Sequence, residues 1–121
     1  MTLLPSGFVP EVTGRVLRGR LQRWLIDTPT DAASGDVVVL TNLTLELRSL
    51  DDATQLLAPV PGALHVALSA QYTLARGKPA AIYVSQFTAP LSLPGEVLAI
   101  EHWEIDGVAD VRRSRVPVTG V

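Results

Sequence analysis

In the stretch VVVLTNLTLELRSL, residues 37 to 50, the second half alternates apolar and polar side chains without error. Leu43, Leu45 and Leu47 fall on one side, and Asn42, Thr44, Glu46 and Arg48 on the other. A period of two is what a strand shows when one sheet face is buried and the other is solvated. No part of the chain sustains the helical period for three turns, so this alternation sets the fold class. The first half of the stretch is apolar on both faces and is expected to be covered on both sides.

The pattern recurs. Leu64, Val66, Leu68, Ala70, Tyr72 and Leu74 alternate with His65, Ala67, Ser69, Gln71 and Thr73. Residues 81 to 91 and 96 to 106 read as further strands, and residues 12 to 27 as one long strand. DTPTDAASGD and ARGKPA carry loop chemistry. Ser49 with Asp52 three residues on, before Pro59, offers a weak capping box and at most two helical turns. The expectation is an all-β domain, a small β-barrel or β-sandwich of five to six mostly antiparallel strands with at most one short helix. Its β core would span residues 12 to 107, flanked by an extended N-terminal arm (1 to 11) and an extended C-terminal tail (108 to 121). Leu43, Leu45, Leu47, Leu64, Val66, Leu68 and Tyr72 are the expected interior.

Composition narrows the function. Charged residues make up 18% of the chain and hydrophobic ones 47%, fewer charges than the roughly 25% of soluble domains. A small domain so apolar is expected to cover its excess with a partner. The arms are the natural place: Leu3, Leu4, Phe8 and Val9 at one end, Val116 and Val118 at the other, each interrupted by proline. The absence of cysteine excludes disulfides and thiolate chemistry. No apolar run approaches the roughly 20 residues of a membrane-spanning helix, and the first residues lack the basic region of a signal peptide. A cytoplasmic protein is expected, or a virion protein if the gene is a phage's.

GRVLRGRLQRW, residues 14 to 24, raises the possibility of a polyanion site, with Arg15, Arg18, Arg20 and Arg23 close together. Strand parity puts Arg15 and Arg23 on one face and Arg18 and Arg20 on the other, and a bulge at Gly19 would still leave two and two. Pairing with Glu96, Glu101, Glu104 and Asp106 is the commoner use of such arginines. The net charge of −2 also argues against broad capture of nucleic acid. A basic surface would need Arg18 and Arg20 to be joined in space by Arg112 and Arg113. Tyr83 and Phe87 share a parity and could then stack bases. The segment PGALHVALSAQYTLARGKPAAIYVSQF loosely resembles the later strands of a single-stranded-DNA-binding OB domain, over about a quarter of the chain. An OB barrel places its helix after three strands, whereas the helix candidate here follows two.

Catalytic and metal-binding patterns are sparse. His102 and Glu104 share a strand face and give two ligands, short of the three or four of a zinc site. Asp27, Asp31 and Asp36 do not follow the alternate spacing of a calcium loop. Ser69 and His65 on one strand would stand about 13 Å apart, too far for a nucleophile and its base. GRVLRG lacks the Lys-Ser/Thr ending of a phosphate loop. The sequence therefore leads to a non-enzymatic assembly protein without a cofactor, small-molecule substrate or membrane partner. It would form a homo-oligomer or part of a larger structure such as a phage capsid-stabilising or tail protein. An OB-like single-stranded nucleic-acid-binding protein is the alternative.

Overall fold

Asp106 and Gly107 separate two strand-forming runs, and both adopt the left-handed backbone, with φ of 51° and 79°. This pair is the strongest short signal for a two-residue hairpin whose turn matches the twist of its strands. It joins β7 (Glu96–Ile105) to β8 (Val108–Thr119), with Ile105 opposite Val108 and Glu96 opposite Pro117.

The computed structural model describes residues 11–12, 14–27 and 37–120. Before β7 come β1 (Glu11–Val12), β2 (Val16–Leu17), β3 (Leu21–Asp27), β4 (Thr41–Arg48), β5 (Gln55–Leu64), α1 (Val66–Arg76) and β6 (Ile82–Thr88). The strands form one sheet in the order β1-β3-β6-β5-β4-β7-β8-β2. Its outermost strands, β1 and β2, are successive in the chain, so the sheet curls into a nearly closed barrel. The arm residues Leu3, Leu4, Phe8 and Val9 lie outside the described residues.

The expectation of five or six mostly antiparallel strands needs correction. Among the described residues the sheet has eight strands and is mixed, with β1 parallel to β3 and β2 parallel to β8. The cause lies in residues 12 to 27, read as one strand. Gly14 and Gly19 hold positive φ of 76° and 72°, a backbone that side chains resist. The chain reverses at each glycine, so one run becomes three short strands that change neighbours. Gln22, fully buried, holds the second reversal together. Its amide donates to the carbonyls of Leu17 and Arg20 and accepts from the Leu17 N–H, at 2.9, 3.0 and 3.0 Å. It supplies the bonds a sheet neighbour would otherwise make.

Two further segments depart from expectation. Residues 66 to 76 are a helix, although their alternation reads as a strand. His65 caps the start, its Nδ1 accepting from Leu68 N–H, and Gly77 closes the end in the left-handed conformation. Between the caps lie strong helix formers (Ala67, Leu68, Ala70, Gln71, Leu74, Ala75), and capping plus propensity outweigh the accidental period of two. Conversely, Ser49 caps no helix. Its hydroxyl accepts from Thr54 N–H and donates to Asp51, closing a tight β4–β5 turn with Asp52 at φ 62°. The expected helix gives way to strand β5.

The interior is built mainly from alternate residues of β3, β4, β6, β7 and the end of β8. Trp24 and Ile26, Leu43, Leu45 and Leu47, Tyr83 and Phe87, Val97, Ala99 and Trp103 all lie in one buried cluster. Gly62 serves this packing: a Cβ there would sit 2.7 Å from Leu43 Cδ2 and 2.9 Å from Ser85 Oγ. The anticipated core residues Leu43, Leu45, Leu47 and Leu68 are buried, while Tyr72 is half-buried. Leu64 and Val66 are exposed, because the chain leaves the sheet there. The doubly apolar residues 37 to 40 are not covered on both sides, since Val39 is exposed. The C-terminal tail is an integral strand, paired with β7 along residues 108 to 117. Val116 and Val118 are core residues of this barrel and are not available to a neighbour.

Candidate functional site

The hairpin register places Glu101 opposite Arg112, both on the inward side of their strands. Glu101 is 3% exposed, a burial that a carboxylate tolerates only with charge-assisted hydrogen bonds. It receives three. Arg112 donates through Nε and Nη2 at 2.7 and 3.1 Å, and Trp24 Nε1 donates across the barrel at 3.2 Å. The Arg112 guanidinium also lies 5.5 Å from the centre of the Trp103 ring, within cation–π range. These groups edge an open cleft of about 330 Å³ between β3 and β8, lined by Gly14, Trp24, Leu25, Glu101, Arg112, Ser114 and Val116. With both carboxylate oxygens engaged, Glu101 is arranged as a tie between strands and not as a proton acceptor.

The remaining arginines are spread around the barrel. Arg18 donates to the carbonyls of Leu93 and Gly120, clamping the β2–β3 turn to the ends of two other segments. Arg23 Nη1 lies 3.1 Å from His65 Nε2. The carboxylates of the last strands are taken by C-terminal arginines instead: Arg115 on Glu96 at 2.6 Å and Arg112 on Glu101. Arg113 sits on the opposite face of β8 from Arg112, 4.0 Å from Asp52. The structure does not bring Arg18, Arg20, Arg112 and Arg113 into one surface.

Tyr83 and Phe87 do share a face, as parity requires, but that face is the barrel interior. They are 6% and 5% exposed, and the Tyr83 hydroxyl accepts from Leu40 N–H. Neither ring is open to a base.

The helix also changes the relation of Ser69 to His65, which were expected to be far apart on a strand. The Ser69 hydroxyl donates to the His65 carbonyl and accepts from Ile82 N–H, so it anchors α1 to β6 and does not face the imidazole as a nucleophile would. His102 is exposed, and Glu104 accepts from the Asn42 amide. Asp31 and Asp36 lie outside the described residues. Among the described residues no three His, Asp or Glu side chains group as metal ligands, and no helix is long and apolar enough to cross a membrane.

The exterior carries a feature that sequence parity concealed. Val66, Ala70 and Leu74 recur every four residues along α1 and form one outward stripe, Val66 74% and Leu74 85% exposed. Arg76 is the helix's sole charged side chain. Read with helical spacing instead of strand spacing, the same residues would have disclosed the stripe. Comparison with protein-family models, with curated proteins and with solved structures finds no match in any of the three.

Proposed function

We propose that the protein is a non-enzymatic assembly subunit that works in a homo-oligomer or a larger structure. The observation that carries this reading is the apolar outer stripe of α1 on a helix whose one buried residue is Leu68. A helix so loosely seated, with valine and leucine turned to solvent, is stable chiefly when another surface covers it. A phage-type virion component, capsid-stabilising or tail protein, is the specific form we favour. It rests on analogy with the small β domains that build such particles.

Light scattering tests the reading. The protein should show a molar mass above the monomer, and Val66→Glu with Leu74→Glu should lower it. Exposed sites tolerate such changes within about 0.5 kcal/mol, so the barrel should stay folded and lose only the stability that assembly contributes. A wild-type monomer, or an unchanged mass in the double variant, would count against it.

The alternative is an OB-like protein binding single-stranded nucleic acid, supported now only by the arginines around the β2–β3 turn. With its two rings inside the barrel, stacking has no platform. Binding to a single-stranded oligonucleotide at physiological salt should be no tighter than about 100 μM, the weak edge of nonspecific affinity. A micromolar constant that weakens steeply with salt would establish the alternative.

A further inference from the structure

Register places six strand termini at one end of the barrel. Asp27 is opposite Ile82, Leu64 opposite Tyr83, and Thr41 opposite Glu104. Strands β3, β5 and β7 therefore finish at this end, while β4, β6 and β8 begin there. Two elements project beyond the rim. Helix α1 runs outward from the start of β6: Ile82 N–H donates to the Ser69 hydroxyl, and Ala80 N–H, further out, to the Thr73 hydroxyl. The turn at Asp106 and Gly107 extends past Thr41 in the same direction. Strands β5 and β4 lie between β6 and β7 in the sheet, so helix and hairpin flank the mouth of the barrel from different sides.

Exposed apolar side chains gather here. Val66 and Leu74 stand on α1, Val108 follows the hairpin turn, and Leu64 and Val39 adjoin β5 and β4 between them. Together they offer on the order of 500 Å² per copy, most of the roughly 800 Å² that each partner of a stable complex buries. Charge divides across the same rim among the described residues. No acidic residue occurs between positions 53 and 95, and Lys78 is exposed just beyond α1. Residues 103 to 111 carry Glu104, Asp106 and Asp110 and no base, with Asp106 exposed at the tip.

Resting on the assembly reading above, we infer that this end docks a second copy, related by a two-fold axis across the mouth, so that α1 of each barrel meets the hairpin of the other. A two-fold interface uses one patch twice, and that patch must complement itself. This one does, because one half is apolar and basic and the other apolar and acidic. Val108 packs beside the Val66–Leu74 stripe, Lys78 approaches Asp106, and each contact is made twice.

Analytical ultracentrifugation of the full chain tests the pairing. The wild type should contain an even number of chains. Val108→Glu should raise the dissociation constant about tenfold or more, because a charge then enters an apolar contact made twice. Leu91→Glu, exposed at the far end beside Gly19, should leave it unchanged. Lys78→Glu should weaken association about tenfold, and much less in the Asp106→Asn background, where the like charge it meets is gone. An odd number of chains, a folded Val108→Glu protein that associates as wild type, or a Lys78→Glu effect indifferent to Asp106 overturns the end-to-end pairing. The assembly reading then stands if Val66→Glu with Leu74→Glu lowers the mass. A wild-type monomer at every concentration overturns both. If Val108→Glu fails to fold, the charge cycle decides.

Discussion

Replacing Arg112 with alanine is expected to lower the unfolding free energy by about 2–4 kcal/mol. The substitution leaves Glu101, which is 3% exposed, with Trp24 Nε1 as its one remaining donor among the described residues, and removes the cation over Trp103. Breaking a fully buried pair costs about 3–5 kcal/mol. The lower range reflects the half-exposed guanidinium, which lets water enter the cleft and partly solvate the carboxylate. Glu101→Leu combined with Arg112→Leu should recover most of the loss, because neither member of the pair is then a charge. Arg115→Ala removes an exposed partner of Glu96 and should cost at most about 0.5 kcal/mol. Urea unfolding of the variants checks all three, and equal losses for Arg112→Ala and Arg115→Ala would mean that burial of Glu101 carries no energetic weight.

Leu45→Ala should cost more, about 3–5 kcal/mol. Leu45 is wholly buried on β4, between β5 and β7 at the centre of the sheet, where neighbouring strands limit collapse into the cavity. Leu74→Ala supplies the contrast. At 85% exposure its truncation removes little packed surface and should fall within about 0.5 kcal/mol. Thermal or denaturant melts decide, and a near-neutral Leu45→Ala would contradict the barrel itself.

These two leucines mark the limit of what alternation can say. Both sit in runs with a period of two, and both were legible as inward residues of a strand. In residues 43 to 47 the pattern contrasts leucine with threonine and glutamate, so one face is apolar and the other is not. In residues 64 to 74 the opposing face is alanine, serine and glutamine, which a helix accepts equally well. The His65 and Gly77 caps break that tie, and a histidine cap is a weak sequence signal. The candidate site was partly legible too. Asp106 and Gly107 flanked by strand-forming runs imply a two-residue hairpin, and that hairpin alone places Glu101 across from Arg112. Reading residues 108 to 121 as a free tail hid it.

The chain's local chemistry therefore determines a β-rich domain, the inward side of β4, and the hairpin that pairs Glu101 with Arg112. Those properties follow from side-chain period and from turn residues, which act over two to five positions. The tertiary structure alone decided which of two inward-looking faces became the core at Tyr83 and Phe87. It also decided that Trp24 meets Glu101 across 77 positions, and that β1 and β2 run parallel to their neighbours. Parallel pairing and barrel closure depend on contacts between distant segments, and period-two patterning carries no information about which strand lies beside which.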